Sequence, residues 1–229
     1  MKGRFSASLV LFVLLGILLS NCSKSSSSGG GNNNTGGTYS DLVASFTNNN
    51  SSTGANTVYT FTYDGQNRLI EEQISDGTPT STYSYGTDTV TKMQGTTTTV
   101  YALNSAGFAA SDNQGNIYTY DGNGYMLSET NPNGSSTVNT VSGSNIVGTS
   151  QTTSGGVTTN YSFTFTIKPN SIKFGLTFLG AVDVNLIQSE GINGVNYPFT
   201  YTYDSHGRVA TEKIVSGSTT LTRTYTYVN

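Results

Sequence analysis

The sequence predicts an all-β protein, an antiparallel up-and-down meander of about 14–16 strands that curls into a closed or nearly closed barrel. From residue 39 to 229, aromatic residues alternate with Ser or Thr, as in Tyr59, Phe61 and Tyr63. Strict alternation of this kind is typical of a half-buried strand. Turn motifs separate the alternating segments roughly every 8–14 residues, which favours hairpins between neighbouring strands. Because open sheets rarely exceed about ten strands without curling or splitting, we expect the meander to close.

In each alternating segment, we expect Thr on the solvent-exposed face of the strand and an aromatic residue on the buried face. They contain Tyr59/Phe61/Tyr63, Tyr83/Tyr85, Tyr118/Tyr120, Tyr161/Phe163/Phe165, Phe199/Tyr201/Tyr203 and Tyr225/Tyr227. Two stretches, Asn131 to Ser136 and Thr153 to Val157, are expected to be longer hairpin loops. One segment, Ser171 to Ile187, could form a turn or two of helix or further strands.

A recurring turn motif joins several of these strands, and its fullest form is Tyr-Asp-Ser-His-Gly-Arg at residues 203–208. An Asp or Asn opens a type I turn, and the residue three positions later takes the left-handed conformation that suits Gly or Asn. The motif residues are Asp64, Asn67 and Arg68, then Asn104 and Gly107, then Asp121 and Gly124, and finally Asp204, Gly207 and Arg208.

This turn predicts a three-residue hairpin loop with a bulge, and therefore a strand register. Tyr63 should lie opposite Leu69, and Tyr203 opposite Val209. The Asp–Arg pairs are expected at exposed loop tips, where each contributes only about 0.2 kcal/mol.

Residues 1–21 have the features of a signal peptide. Lys2 and Arg4 form a basic start, and Leu9 to Leu19 is an apolar run shorter than the roughly 20 residues that span a bilayer. The following Leu-Ser-Asn-Cys resembles a bacterial lipobox ending in Cys22, the single cysteine of the chain. We therefore predict lipidation of Cys22, the alternative being an ordinary secretory signal with an incidental cysteine.

Residues 22–38 are predicted to be the lipidated cysteine and a disordered tether, because Ser, Gly and Asn cannot bury apolar surface. Residues 39–229 then form a single β-domain by length. Its apolar faces are short, rich in Tyr and interrupted by Thr96 to Thr99, unlike lipid-facing strands. We expect a soluble rather than a transmembrane barrel.

The charge balance argues against nucleic acid as a partner. The chain has 10 Lys and Arg against 13 Asp and Glu, and removal of Lys2 and Arg4 with the signal leaves 8 against 13, or about −5. A mildly acidic protein with no basic patch does not suit a phosphate backbone.

Residues for common catalytic and metal chemistry are scarce, so we predict no enzyme, cofactor or metal. His206 is the only histidine, and it occupies a turn position beside Asp204. The chain has too few His and Cys side chains to form a zinc site. Asp121 to Gly124 resembles the start of a calcium-binding loop, but the distal glutamate of such a loop is absent. Glycoside hydrolysis needs two carboxylates, and the chain has enough acidic residues to supply such a pair. The candidates are Glu71, Glu72, Asp76, Glu129, Glu190 and Glu212. Glu71 and Glu72 must point to opposite faces of their strand.

The Tyr-Asp-x-x-Gly-Arg turns resemble the tyrosine–aspartate repeats of Rhs and teneurin-type shells. Their spacing here is irregular, with 57 positions from Asp64 to Asp121 and 83 from Asp121 to Asp204, so we do not expect a toxin-enclosing shell.

The chain is more similar to a Bacteroidota lipoprotein family of unknown function with a porin-like fold. The likeness lies in the lipobox and tether, the scattered turns, and the segment from Leu179-Gly180 to Asn185-Leu186-Ile187 before the last such hairpin. It implies a β-meander and supplies no catalytic residue.

The sequence as a whole favours a lipid-anchored protein of the Gram-negative cell envelope, most consistent with the outer membrane, acting as a non-enzymatic binding or structural module. The sequence leaves open whether the domain faces the periplasm or the cell surface. The expected partner is the membrane, and a glycan or an envelope protein is a candidate second partner. One alternative is a protein that binds a glycan or small ligand in an aromatic-lined barrel mouth. Another is a carboxylate-based glycoside hydrolase.

Overall fold

The computed structural model describes residues 41–229, and these form a closed barrel of sixteen antiparallel strands. Each strand pairs with its neighbours in sequence, and the first pairs with the last, which confirms the predicted closed meander. Among residues 41–229 no helix is long and apolar enough to cross a bilayer. The predicted signal peptide, Cys22 and tether lie outside the described residues.

The strands are β1 Val43–Asn50, β2 Ala55–Tyr63, β3 Leu69–Ile74, β4 Ser81–Tyr85, β5 Thr89–Gln94, β6 Thr97–Leu103, β7 Ala109–Asp112, β8 Ile117–Tyr120, β9 Met126–Thr130, β10 Ser136–Ser142, β11 Asn145–Thr152, β12 Thr158–Pro169, β13 Asn185–Ile192, β14 Val195–Tyr203, β15 Val209–Ser216 and β16 Thr219–Tyr227. A short 3-10 helix, Thr177–Leu179, lies between β12 and β13.

The motif turns predicted from the sequence all lie at one end of the barrel, which we call the plugged end. They join β2 to β3, β6 to β7, β8 to β9 and β14 to β15. Their left-handed residues are Asn67 (φ 62°), Gly107 (83°), Gly124 (88°) and Gly207 (80°). The register shifts by one residue beside each turn, so Tyr63 lies opposite Leu69 and Tyr203 opposite Val209.

The Asp–Arg pairs of the turns are less exposed than expected. Arg68 and Arg208 bond to Asp64 and Asp204, with Arg208 Nε 2.8 Å from the Asp204 carboxylate and the Arg208 side chain 11% exposed. The cause is an aromatic ring beneath each guanidinium. The Arg68 guanidinium lies 4.3 Å from the centre of the Tyr85 ring, and the Arg208 guanidinium lies 4.4 Å from that of Tyr227. The expectation of solvent-exposed loop tips was therefore wrong for Arg208, whose guanidinium covers the end of the core.

Residues 170–184 form what we call the plug, a segment that packs into this end of the barrel. The segment that could have been helix or strand contains only the single 3-10 turn and runs into β13 at Asn185. Ile172, Phe174, Leu176 and Phe178 are almost fully buried in the main core cluster. The Phe174 ring lies 5.0 Å from Phe61, and the Phe178 ring lies 4.9 Å from Tyr101.

Backbone hydrogen bonds fasten the plug to strands on several sides of the barrel. Val43 donates to Lys173 (3.0 Å) and Leu69 donates to Gly175 (3.1 Å). Ala181 donates to the carbonyl of Gly124 (2.7 Å). Because buried peptide groups must be paired, these bonds allow an irregular segment to cross a barrel end.

Tyrosine hydroxyls complete the plugged end. Tyr63, Tyr85, Tyr201 and Tyr227 each donate to a backbone carbonyl on the immediately preceding strand, at 2.7–2.8 Å. The acceptors are Val43, Leu69, Ile187 and Val209. A phenol offers both a large apolar ring and a donor at its tip, which explains why Tyr rather than Phe occupies these four positions.

A substitution at Gly124 tests the packing of a turn against the plugged end. A Cβ there would lie 2.7 Å from the Phe108 ring, in a residue with φ of +88°. Gly134 has nearly the same φ, +86°, but open space around it. Both Gly→Ala changes strain the backbone, by roughly 1–2 kcal/mol. We predict that Gly124→Ala lowers the free energy of unfolding by at least about 1 kcal/mol more than Gly134→Ala, because overpacking adds to the strain. Urea denaturation measures both, and equal losses would contradict the packing.

Candidate functional site

Acidic side chains on the inner face of the barrel form the most distinctive chemical feature of the fold. In each motif hairpin an acid on the second strand lies directly opposite an aromatic residue on the first, and cross-strand partners share a face. The pairs are Glu72 with Phe61, Asp112 with Tyr101, Glu129 with Tyr118, and Glu212 with Tyr201. The strands alternate in and out, so these carboxyls face inward with the rings.

Glu190 adds a further inward carboxyl from β13, where its partners across the sheet are Phe163 and Tyr197. Two basic side chains face the same interior, Lys92 opposite Tyr83 and Arg223 opposite Glu212. The inner surface is therefore acidic in balance, and Thr and Ser are frequent on the outside of the same strands.

The most deeply buried charges cluster around Arg223. Its Nη1 donates to Glu212 Oε1 at 2.6 Å, and the Tyr225 hydroxyl bonds to Glu212 Oε2 at 3.3 Å. Arg223 and Glu190 are each 1% exposed and Glu212 is 3% exposed. Asn48 is the cross-strand partner of Arg223 on β1. These four residues, Asn48, Glu190, Glu212 and Arg223, are called the Arg223 cluster below.

Several polar atoms of the Arg223 cluster have no hydrogen-bond partner among the described residues. They are both carboxylate oxygens of Glu190, the Oδ1 of Asn48 and the Nε of Arg223. Each buried polar atom left in this way costs roughly 1–3 kcal/mol. The cluster is thus the place where the interior falls short of full hydrogen bonding.

Burial raises the pKa of several of these carboxyls. Loss of solvent raises the pKa of Glu190 to about 7, with Arg223 opposing the rise and Glu212 adding to it. On the other side of the barrel, burial raises the pKa of Glu72 against the effect of Lys92. It also raises the pKa of Glu129, with a further contribution from Asp112. A buried carboxyl without a bonded cation holds its proton more tightly.

A pocket of about 460 Å³ opens at the plugged end, outside the core. Two aromatic residues, Phe108 and Tyr125, line it together with polar groups of the turns and plug. Among these, Lys173 forms an ion pair of 2.9 Å with Asp41, and Asp183 accepts the Ile146 amide at 2.6 Å. Burial raises the pKa of Asp183 to about 6.

The residues singled out in the sequence divide into turn and interior groups. His206 lies in its turn, with Nδ1 3.8 Å from Asp204 Oδ2. Glu71 pairs with Thr62 on the outer face while Glu72 faces inward, as expected for adjacent strand residues. Asp76 lies in an exposed turn after β3. Within residues 41–229, no group of three or more His, Cys, Asp and Glu could hold a metal ion.

Sequence reasoning missed the interior acids as a set, although a signal for them exists. Each lies three positions after the apolar residue that begins the second strand, as Glu72 follows Leu69 and Glu212 follows Val209. A one-residue bulge near the turn places both residues on the inner face, where simple alternation predicts opposite faces. The same bulged turn also recurs at the far end of the barrel, at Asp112 to Gly115 and Asn131 to Gly134.

The solved structures that this chain matches include two porin-like proteins of Bacteroides. The crystal structure of a porin-like protein from Bacteroides uniformis ATCC 8492 matches with a TM-score of 0.62 and 17% identity, over 81% of this chain and 98% of that one. A porin-like protein from Bacteroides vulgatus ATCC 8482 matches with a TM-score of 0.58 and 11% identity, over 82% and 98%. The likeness is one of fold. No protein-family model and no curated protein matches the chain.

The raised pKa of Glu190 predicts that stability falls as pH rises. The folded state keeps a proton that the unfolded chain releases, so the free energy of unfolding decreases between pH 4.5 and about 7. Over that pH interval the free energy of unfolding falls by at most about 3 kcal/mol. Glu190→Gln should remove this component and leave the protein more stable than the wild type at pH 8 but not at pH 4.

Urea denaturation of both proteins in sodium phosphate across this pH range measures the effect. Asp183 is present in both, so its own titration cancels in the difference. Parallel stability curves for wild type and Glu190→Gln would contradict the assignment.

Proposed function

We propose that this protein is a lipid-anchored, non-enzymatic module of the cell envelope that acts in binding or structure. The observation that carries the proposal is the closed barrel, one end of which is filled by the plug. The recurring motif residues of the barrel are used in its turns and core packing. A fold shared with porin-like Bacteroides proteins is consistent with an envelope location. The lipobox-like sequence at Cys22 supplies the anchor.

The outer face of the barrel supports a domain in water rather than in lipid. Hydroxyl side chains pair across neighbouring strands, as in Ser45 with Thr226 (2.8 Å), Thr164 with Ser189 (2.7 Å) and Thr202 with Thr211 (2.7 Å). Lipid-facing strands instead present an apolar band about 25 Å tall. A lipid chain on Cys22 would hold such a water-exposed barrel at a membrane.

The burial of Glu190 and Glu212 supports a non-enzymatic role. Glycoside hydrolysis needs two carboxyls that flank a bound sugar, about 5–9.5 Å apart. Glu190 and Glu212 lie near one another but are only 1% and 3% exposed. A sugar chain therefore cannot reach them without opening the barrel.

Replacement of Cys22 tests the anchor. We expect Cys22→Ala to move the protein out of the membrane fraction, because no acyl chain can be attached, while the neighbouring Ser23→Ala leaves fractionation unchanged. Mass spectrometry of the wild-type amino-terminal peptide should show added acyl chains on Cys22. Unchanged fractionation of Cys22→Ala together with an unmodified wild-type peptide would refute the anchor.

A second candidate function is binding of a saccharide at the plugged end, favoured by the 460 Å³ pocket. Aromatic faces and amide groups, here Phe108, Tyr125, Asn123 and Asn170, suit the alternating apolar and hydroxyl surfaces of a sugar. At this end the barrel mouth itself is filled by the plug, so the pocket lies beside the plug and not inside the barrel.

NMR titration with a panel of neutral disaccharides identifies a saccharide that binds. We predict that Asn123→Ala lowers the affinity for this saccharide at least about threefold, which is in the lower range for the loss of one hydrogen bond. Asn133→Ala is the matched control, because Asn133 holds the same position before Gly134 in a turn of the same type at the far end. Absence of binding across the panel, or equal effects of the two variants, would exclude the pocket as a saccharide site.

A further inference from the structure

We propose that the pocket at the plugged end binds a saccharide with a free amino group, whose protonated nitrogen donates hydrogen bonds to the carboxylate of Asp183. The inference rests on the saccharide-binding function proposed above, to which it adds the class of sugar and the residue that selects it. The pocket of about 460 Å³ is lined by Asp183 together with Phe108, Asn123, Tyr125 and Asn170.

Hydrogen bonds hold Asp183 beside other groups that line the pocket. The amide of the next residue, Val184, donates to the Ser144 carbonyl at 3.2 Å, and the Tyr125 hydroxyl donates to the same oxygen at 2.8 Å. The side-chain amide of Asn170 donates to the backbone carbonyl of Asp183 at 3.3 Å. Asp183 therefore lies close to one aromatic residue and one amide of the pocket.

One oxygen of the Asp183 carboxyl is used within the protein, and the other is not. Oδ1 accepts the Ile146 amide at 2.6 Å, which holds the side chain in place. Oδ2 accepts no hydrogen bond from residues 41–229, yet it is not among their fully enclosed atoms without a partner, as the carboxylate oxygens of Glu190 are. Oδ2 of this residue, only 6% exposed, therefore reaches the open space of the pocket that Asp183 lines.

The charge of the pocket favours a cation. Its lining contains three charged side chains, and two of them, Lys173 and Asp41, offset each other in an ion pair of 2.9 Å. Burial raises the pKa of the third, Asp183, to about 6, and only the Ile146 amide opposes this rise. No cation among residues 41–229 thus compensates the carboxylate. An ammonium group supplies the missing charge, and charge-assisted hydrogen bonds are roughly twice as strong as neutral ones.

The other lining groups favour an amino sugar over a metal ion or a simple alkylamine. Within residues 41–229, no group of three or more His, Cys, Asp and Glu is suited to a metal ion. The aromatic rings of Phe108 and Tyr125 suit the apolar face of a sugar ring. The amides of Asn123 and Asn170 suit its hydroxyl groups, for which an alkylamine has no counterpart.

NMR titration of the purified, lipid-bearing protein in non-ionic detergent tests the proposal. The probe is the disaccharide of glucosamine, and the reference is cellobiose, which has hydroxyls in place of the two amines. The buffer is sodium phosphate near neutral pH, since Tris is itself a primary amine, and sodium chloride matches the ionic strength. We expect the glucosamine disaccharide to bind at least about tenfold more tightly than cellobiose, the lower range for a hydrogen bond to a charged group.

Two variants locate this preference. Asp183→Asn should abolish it, because the amide has no charge, although its oxygen can still accept the Ile146 amide. Asp88→Asn should retain it, since Asp88 is an exposed carboxylate in the β4–β5 turn at the same end of the barrel. In the wild type, the preference should also fall as the pH drops below the Asp183 pKa of about 6, because the protonated carboxyl loses its charge.

The outcomes separate this inference from the saccharide site on which it rests. Equal affinities for the two disaccharides, or a preference that survives Asp183→Asn, would overturn the role of the amine and leave the saccharide site standing. Absence of binding by both disaccharides would overturn the two proposals together. If Asp183→Asn does not fold, the pH dependence in the wild type decides, and a preference that is the same on either side of the Asp183 pKa would overturn the inference.

Discussion

A barrel of sixteen strands is too wide for its own wall side chains to fill, and barrels of this size elsewhere leave an aqueous channel. The filling of the interior is therefore the constraint on which the rest of this structure depends. Two solutions are combined here. Large aromatic residues line the wall, and the plug inserts Phe174 and Phe178 from one end. The hydrogen bonds from wall to plug then keep the irregular backbone satisfied where it meets the core.

The filling differs in character along the barrel axis. Near the plug, the interior is apolar, with Val43, Leu69 and Val209 fully buried. Towards the other end it becomes acidic, and the Arg223 cluster contains polar atoms that have no hydrogen-bond partner among residues 41–229. Because the motif turns set both the bulges and the register, they also place the acids on the inner face. The recurring turn thus determines both the architecture and the chemistry of the interior.

Local chemistry made much of this fold predictable. The left-handed position after Asp64 or Asp204 specified the turns, and alternation specified the strands and their closure. The plug was not predictable, since Ile172, Phe174, Leu176 and Phe178 alternate like a strand, but the segment forms a single bridge, from Lys173 to Leu42, and no β-ladder. Their burial depends on a cavity that exists only after sixteen strands have closed. The Arg223 cluster likewise contains residues that are distant in the sequence, because Asn48 is 142 positions from Glu190 and 175 from Arg223, and no local pattern brings them together.

The role of the plug is tested most directly by comparing the free energy of unfolding of Phe174→Ala with that of Ile167→Ala. Phe174 is 1% exposed in the plug, whereas Ile167, seven residues earlier on β12, is 96% exposed. If the plug completes the core, Phe174→Ala should cost about 3–5 kcal/mol and Ile167→Ala at most about 0.5 kcal/mol. Similar small losses for the two variants would contradict the claim that the barrel depends on its plug.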